Sequence, residues 1–344
     1  MKIILLYNWK CKEDHWMPIE LKKIGYNVEI IDLPSTDEKR RMKKIYKLSN
    51  LILNYKLAKK AVNVAEDGDI IISLSCTPGI FCSYLARGSK IKILALTLLI
   101  HQNNKNSIIE RLRNKFYKGA FKNKLFWTSC NSKLDIEKYE SLFNLKEKNI
   151  FCLPDTIENI DLSKYQNIKN EDYVFAGGIS ERDWDTVIKS ADKLKNIKFK
   201  IVAKREDWKN SYPILPNVEV YFNVEPEVFD KLLMKSSIVL LPLKSEATAG
   251  LMVLFKAIQF KKNILATRTN STKLFIDPKY HDLLLYTLGD YNDLSNKLKK
   301  INMLNLEERK KININLDSYI YDNFSIDAYM KKFNTILEKI IEKN

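Results

Sequence analysis

The stretch from Ser245 to Thr267 has the residue pattern in this sequence best suited to binding chemistry, a small-residue turn before a helix. The apolar run Ser237 to Leu243 precedes it and predicts a buried strand, and Leu251 to Phe260 has the apolar spacing of a helix. Gly250 lets backbone approach a bound group, and the N–H groups of a helix N-terminus can hold an anion. The alternative is an ordinary connection between strand and helix, and these residues alone leave both interpretations open.

Neither a nucleophilic triad nor a cysteine-based metal site is visible in the sequence. The sequence shows no Ser/His/Asp grouping, and its cysteines form no CxxC or Cys/His cluster. Their odd number predicts a reducing, cytoplasmic setting rather than a disulfide framework or a zinc site. The five cysteines are Cys11, Cys76, Cys82, Cys130 and Cys152.

Apolar runs of strand length alternate with helical patterns along the whole chain, which predicts parallel α/β sheets. The chain has 344 residues, more than one domain usually holds, and the polar stretch 158–172 is the best linker candidate. We therefore expect two Rossmann-like domains, residues 1–165 and 166–322. The predicted strands are Lys2–Tyr7, Asn27–Asp32, Asp69–Ser75, Ile91–Ile100, Leu125–Cys130, Asn149–Leu153, Tyr173–Gly178, Lys198–Ala203, Val218–Phe222, Ser237–Leu243, Asn263–Thr267 and Leu283–Tyr286.

Helical periodicity marks the connections between these strands. The opening strand is too short an apolar run for a signal peptide, and no stretch has the roughly 20 apolar residues that span a bilayer. The predicted helices are Met17–Ile24, Glu38–Val64, Pro78–Arg87, Ser107–Lys124, Lys133–Phe143, Asp183–Leu194, Glu225–Lys235, Leu251–Phe260, Tyr291–Ile301, Leu306–Asn315 and Ile326–Lys343.

The net charge of +16 favours a partner with negative charge. The predicted helices Glu38–Val64 and Ser107–Lys124 combine an apolar face with many lysines and arginines. One interpretation is a pair of solvated helices packed on a sheet, with the lysine excess arising from an AT-rich genome. The other is attraction of the first domain to an anionic membrane surface. No nucleic-acid motif accompanies the basic runs, so nucleic acid is not the partner we expect.

The order of these motifs resembles the GT-B fold retaining glycosyltransferases, in particular glycosyltransferase family four. The resemblance covers nearly the whole chain and is strongest over residues 173–267. Family members have a Glu-x7-Glu segment with Phe-Gly-Leu in its middle and Glu-Ala-Met at its end. Here Gly250-Leu251 matches the middle and Lys256-Ala257-Ile258 matches the end. The resemblance implies two Rossmann-like domains facing across a cleft, with residues 323–344 returning to the first domain.

This sequence lacks both glutamates of that segment and resembles a subgroup without the usual pair. Thr248 stands at the first position and Lys256 at the second. In the family the first glutamate lies near the transferred sugar and the second binds the ribose hydroxyls. Lysine cannot accept hydrogen bonds from those hydroxyls, but it can pair with a phosphate as a point charge. The resemblance places Thr248, Ala249, Gly250, Leu251 and Lys256 at the donor.

The resemblance also implies cations for the donor diphosphate. Gly177-Gly178 would allow close backbone approach, with Arg182 and Lys204 as the catalytic cations that stabilise the departing nucleotide. The alternative for Arg182 is a surface ion pair with Asp185 or Glu181. Residues 183–185 spell Asp-x-Asp, a metal motif of another transferase fold, but their place at a helix start indicates capping. We expect no metal and no other cofactor.

The remaining site residues are also carried over from the family. His101 follows a predicted strand and would be a catalytic residue near the donor sugar, where it could hold the sugar's hydroxyls or orient the acceptor. A histidine at a strand end is, however, often structural. The loop Phe222-Asn223-Val224 would contact the base. The rim residues His15 and Trp16 could contact an acceptor, or they cover the edge of the domain.

The function implied is transfer of a sugar, with retention, from a nucleoside-diphosphate donor to a glycan or lipid-linked glycan. The setting implied is cell-surface polysaccharide synthesis of the bacterial type, in the cytoplasm or peripherally on the inner face of the membrane. A catalytically degenerate protein that binds a nucleotide, a glycan or a protein partner is the alternative. A nucleotide-sugar epimerase is less well supported, because its acid and base residues are sparse here.

Overall fold

The computed structural model describes residues 1–33, 46–99, 108–145, 149–157, 160, 168–178, 181–246 and 250–343. The chain divides into two units, one formed by residues 1–156 with 326–344 and the other by residues 157–325. The sequence placed these boundaries after residues 165 and 322. Residues 158, 159 and 161–167 of the expected linker lie outside the described part.

The first unit is built on a parallel sheet with the strand order β2-β1-β3-β4-β5-β6 among its described residues. Residues 3–6 of the first strand are fully buried, as expected for a parallel strand that has helices on both faces. The strands are β1 (Lys2–Leu6), β2 (Asn27–Ile31), β3 (Ile70–Ser73), β4 (Lys92–Ala95), β5 (Phe126–Cys130) and β6 (Ile150–Cys152).

Helices cover both faces of this sheet and form two apolar cores with it. The C-terminal helix belongs to this unit and packs its buried Phe333, Leu337 and Ile340 into one of these cores. The helices are α1 (Trp16–Lys23), α2 (Tyr46–Val64), α3 (Cys76–Leu85), α4 (Ile108–Ala120), α5 (Lys133–Phe143) and α13 (Ile326–Glu342).

The second unit has a parallel sheet with the order β12-β11-β10-β7-β8-β9 in the part of the chain described. The apolar run of β10 lies at the centre, between β11 and β7, which explains its lack of polar side chains. The strands are β7 (Val174–Gly177), β8 (Phe199–Ala203), β9 (Val218–Phe222), β10 (Ile238–Leu241), β11 (Asn263–Thr267) and β12 (Leu285–Tyr286).

The helices of the second unit share one continuous apolar core with this sheet. They are α6 (Trp184–Lys193), α7 (Pro226–Lys235), α8 (Leu251–Gln259), α9 (Asn270–Phe275), α10 (His281–Leu284), α11 (Tyr291–Met303) and α12 (Leu306–Phe324).

The two parallel sheets agree with the fold class predicted from the sequence. The helix predicted to end at Asn315 continues to Phe324, because Leu316, Ile320 and Phe324 extend its buried face. The short helices α9 and α10 were not predicted. Residues 38–45 and 107, predicted as helix, and Ile100, predicted as strand, lie outside the described residues.

Candidate functional site

Arg182 lies at the carboxyl edge of the second sheet, just beyond β7. Its backbone pairs with that of Leu243, and the neighbouring Asp183 N–H donates to the Pro242 carbonyl at 3.0 Å. The segment that carries Arg182 is therefore fixed against the chain that leaves β10. Ligands of open α/β sheets bind at this edge.

The guanidinium of Arg182 lies against three of the predicted glycines. Its Nε donates to the Gly177 carbonyl at 3.0 Å. A Cβ on Gly178 would clash with the guanidinium, and a Cβ on Gly250 would lie 2.9 Å from its Nη2. Gly250 also has a left-handed backbone, with φ +79°, at the N-cap of α8. The structure thus brings Gly177, Gly178, Arg182 and Gly250 together. The side-chain space at Gly178 is filled by Arg182, and that at Gly250 by Leu241 and Arg182.

Burial gives this guanidinium an electrostatic cost that a bound anion would offset. Desolvation lowers the pKa of Arg182 to about 10, and an electrostatic interaction with the buried Tyr286 opposes that shift. The group remains a cation at neutral pH. The N-terminus of α8 lies beside Gly250, and its dipole adds positive potential at the same place. A half-buried cation beside a helix N-terminus is suited to a phosphate or diphosphate.

Gly177 is required by packing on the core side of the strand. A Cβ there would lie 2.6 Å from the Phe175 ring and 2.6 Å from the Phe229 ring. These two rings meet edge to face with centroids 5.1 Å apart. The glycine therefore lets two aromatic side chains close over the strand. Its predicted approach to a diphosphate stays a prediction.

The other donor residues lie at the ends of the neighbouring strands. Lys204 follows β8 and is half-buried, and Asn223 follows β9 with a left-handed φ of +50°. The ring of Phe222 carries the Arg205 guanidinium over its face at 4.8 Å, and half-buried Val224 packs against the core. β7, β8 and β9 are adjacent, so these residues share one edge with Arg182. Their contacts with a donor stay predictions.

Lys256 has a carboxylate partner inside the unit. Its ammonium donates to both carboxylate oxygens of Asp230 on α7, with the longer contact at 2.8 Å. Asp230 is buried and Lys256 is half-buried. Leu251, at the first position of α8, is buried in the core. The sequence offered no sign of this pair, because residues 230 and 256 lie on different helices.

Three of the predicted site residues cannot be placed. His101, Thr248 and Ala249 lie outside the described residues. Their assignments to the donor sugar stay predictions.

His15 and Trp16 lie together at the carboxyl edge of the first sheet. The Nδ1 of His15 accepts from the Met17 N–H at 3.3 Å, so the histidine caps α1. Tyr7 contacts the same Nδ1 through its hydroxyl, also at 3.3 Å. Trp16 stacks on His15 and meets Tyr329 edge to face, with ring centroids 5.8 and 5.2 Å apart. The predicted role of these two residues with an acceptor stays a prediction.

A polar cluster at the same edge was not predicted as a site. Asp155 accepts from Asn131 Nδ2 at 3.1 Å and from Thr97 Oγ1 at 3.5 Å, just past β6, β5 and β4. Burial raises the pKa of Asp155, and the two hydrogen bonds oppose that shift. Thr97 has φ +57°, an uncommon conformation for a β-branched residue. No pattern in the sequence brings these three residues together, since only strand pairing does so.

The Asp-x-Asp segment acts in helix capping, as predicted. Asp183 is the N-cap of α6 and accepts from the Thr186 N–H at 3.0 Å. Asp185 accepts from the Lys209 ammonium at 2.7 Å, so the two aspartates have separate partners. Among the residues that the structure describes, no group of three His, Cys, Asp or Glu side chains is arranged to hold a metal ion.

Comparison with known proteins reveals a likeness in fold. No family model matches the sequence, and no curated protein matches it either. Solved structures match over the full chain. A trehalose-6-phosphate protein of E. coli bound with UDP-2-fluoro glucose matches with a TM-score of 0.70 and 11% identity, covering 100% of both chains. The chain has the GT-B fold.

Two further GT-B structures are similar to this one. A glycosyltransferase from Rickettsia africae has a TM-score of 0.67 and 15% identity, covering 100% of this chain and 99% of that one. Anabaena HepE in complex with UDP has a TM-score of 0.64 and 11% identity, covering 98% and 100%. The fold class is therefore confirmed, while the assignment to family four stays a prediction. None of the helices described here is both long and apolar enough to cross a membrane.

Proposed function

We propose that this protein is a glycosyltransferase that binds a nucleoside-diphosphate sugar at the carboxyl edge of its second sheet. The observation that carries the proposal is the half-buried Arg182 guanidinium, held against Gly178 and Gly250 beside the N-terminus of α8. Arginine suits phosphate because its planar fork can hold two oxygens at once. Two proteins of the same fold were solved with UDP or a UDP-sugar analogue, which supports a uridine nucleotide as the donor.

The chemistry we propose is a retaining transfer. The bond between the anomeric carbon and the β-phosphate oxygen breaks, and the acceptor hydroxyl oxygen bonds to that carbon on the same face. The hydroxyl proton passes to the departing phosphate, so no enzymatic nucleophile is needed. Arg182 and Lys204 would stabilise the charge that develops on the leaving diphosphate, and the protein would otherwise supply orientation.

The finer parts of the proposal concern the family and the acceptor. The proposed membership of family four rests on the match of Gly250-Leu251 and Lys256-Ala257-Ile258 to the family's segment. We propose a glycan or lipid-linked glycan acceptor that contacts His15 and Trp16, in bacterial-type polysaccharide synthesis at the inner face of the membrane. The stacked rings of these two residues and the basic charge of the first unit support this assignment.

Replacement of Arg182 tests donor binding. We expect Arg182→Ala to weaken UDP binding in calorimetry by about tenfold to a hundredfold, because charge-assisted hydrogen bonds are lost. Arg182→Lys should give an intermediate affinity, since it keeps the charge and loses the fork. The matched control is Arg309→Ala in the same unit, whose guanidinium donates to the Asn302 and Leu304 carbonyls. Wild-type UDP affinity in folded Arg182→Ala would show that Arg182 does not bind the donor.

A second candidate function is nucleotide or partner binding without catalysis. The Lys256–Asp230 ion pair favours it, because a lysine occupies a position where the resembling family has a ribose-binding carboxylate. UDP binding without hydrolysis or transfer, across a panel of sugar donors and glycan acceptors, would support this function. Absence of binding to any nucleotide would contradict the transferase and leave binding of a glycan or protein partner as the second candidate's remaining form.

A further inference from the structure

Helix α4 exposes aliphatic side chains that a water-facing helix normally lacks. Ile108, Ile109 and Leu112 are 73%, 77% and 62% exposed. The opposite face of the helix is packed against α3, where Phe116 stacks on Tyr84 with ring centroids 5.1 Å apart. The aliphatic residues therefore point away from the core and protrude from the unit.

Helix α2 exposes a similar group on the same layer of helices. Leu51, Ile52 and Tyr55 are about half exposed, while the other face of α2 is buried. The Tyr55 ring contacts Phe81 of α3 at 5.6 Å, and Phe81 contacts Phe116 of α4 at 5.3 Å. α2 and α4 thus flank α3. We call the residues Leu51, Ile52, Ile108, Ile109 and Leu112, together with the half-exposed ring of Tyr55, the aliphatic face.

The strand connections place both halves of the aliphatic face at one edge of the unit. α2 joins β2 to β3 and α4 joins β4 to β5, in a sheet whose strands are all parallel. Each helix therefore starts at the carboxyl edge of the sheet and runs back along it. The aliphatic residues occupy the first half of each helix, so they lie toward that edge.

Cations surround the aliphatic face. Residues 39–65 contain nine Lys and Arg and no Asp or Glu, and residues 111–124 contain six and none. Glu110, on α4, is half-buried and pairs with Arg113. Among the side chains that the structure describes on these two helices, the exposed cations are Lys56, Lys59, Lys60, Arg111, Lys115 and Lys118.

The charge is concentrated in the first unit as a whole. Residues 1–156 with 326–344 carry 32 Lys and Arg against 19 Asp and Glu, a net charge of +13. Residues 157–325 carry 26 against 23, a net charge of +3. The difference arises because the first unit has six more Lys and Arg and four fewer Asp and Glu than the second.

We propose that the aliphatic face docks the protein on a bilayer that contains anionic phospholipid. Protruding aliphatic side chains enter the boundary between headgroups and acyl chains, while the surrounding lysines and arginines attract the headgroups. The chemistry favours a lipid surface over an apolar protein groove, because cations and aliphatic side chains alternate on the exposed helices without exposed carboxylates. Docking would bring the carboxyl edge of the first sheet, with His15 and Trp16, toward the lipid.

Vesicle co-sedimentation of the full chain tests docking. We expect binding to vesicles of phosphatidylcholine with phosphatidylglycerol, weaker binding as salt rises, and little binding to phosphatidylcholine alone. Ile109→Ser with Leu112→Ser should lower the vesicle partition coefficient by about tenfold, because two aliphatic side chains that enter the lipid on docking are lost. The control is Met303→Ser with Leu306→Ser, two residues of the second unit that are 82% and 67% exposed.

A charge-matched pair of variants separates local docking from general attraction. Lys115→Glu with Lys118→Glu should lower vesicle binding by about thirtyfold or more. Each substitution removes the attraction of one lysine to the anionic headgroups and adds a repelled carboxylate. Lys310→Glu with Lys311→Glu changes the net charge equally on exposed residues of the second unit and should have a much smaller effect.

Three results would overturn the proposal. One is equal binding to vesicles with and without the anionic lipid. Another is an equal loss of vesicle binding in the charge-reversal variants of the first and second units. The third is a dimer in analytical ultracentrifugation that Ile109→Ser with Leu112→Ser converts to monomer, since a second copy would then cover the face. UDP binding, measured on the same samples, distinguishes failure of docking from failure of the proposed transferase function.

Discussion

Alanine at Gly250 tests whether the glycine holds space for the Arg182 guanidinium. The left-handed backbone of Gly250, with φ +79°, costs a non-glycine residue about 1 kcal/mol or more. The new Cβ would lie 2.7 Å from Leu241 Cδ1 and 2.9 Å from Arg182 Nη2, closer than van der Waals contact. Overpacking adds about 1–3 kcal/mol. We expect a total loss of about 2–4 kcal/mol in the free energy of unfolding, measured by urea denaturation.

The same change should displace the guanidinium and weaken UDP binding by about tenfold in calorimetry, because the phosphate contacts lose alignment. Gly289→Ala is the matched control in the same unit. Gly289 has φ +73°, and its added Cβ would meet nothing within 4 Å. The control should therefore cost about 1 kcal/mol and leave UDP affinity unchanged. Equal losses of stability with equal UDP affinity in the two variants would refute the role we assign to Gly250.

Two further predictions concern lysines of the second unit. Burial lowers the pKa of Lys262 to about 8, so between that pH and about 10.5 the unfolded chain binds more protons and stability rises with pH. Lys262→Met should remove up to about 3 kcal/mol of this rise in the free energy of unfolding. The check is urea denaturation of variant and wild type at pH 7.5, 8.5 and 9.5, and the same pH dependence in both would contradict the prediction. Lys256→Met should destabilise the protein by about 2 kcal/mol because Asp230 then keeps a buried charge, and Asp230→Asn in addition should recover part of that loss. A fall in UDP affinity at normal stability would instead assign Lys256 to the phosphate.

The sequence predicted both parallel sheets because their strands are apolar runs of strand length, separated by helical patterns. It also predicted that Asp183 caps a helix, since a short polar residue before an apolar helical pattern has that role. The extent of Leu306–Phe324 was harder to predict, because polar residues interrupt its apolar spacing. Its end at Phe324 depends on packing against Phe275, with ring centroids 4.6 Å apart.

The contacts inside the site could not be predicted from the sequence. Arg182 and Gly250 are separated by 68 positions, and they meet only because β7 and β10 are neighbours in the sheet. The same is true of Thr97, Asn131 and Asp155, which three adjacent strands bring together. Spacing along a chain reports local periodicity, whereas these contacts depend on the order in which strands pair.

The Lys256–Asp230 pair changes which cation matters for a donor diphosphate. The sequence offered Lys256 as a point charge for phosphate, in place of a glutamate. In the structure its ammonium lies against a buried carboxylate, so the pair contributes little net charge. Arg182 instead combines a half-buried cation with the adjacent N-terminus of α8, and its desolvation cost falls when an anion binds. Donor binding should therefore depend more on Arg182 than on Lys256, although Lys256 is the more conspicuous departure from the resembling family.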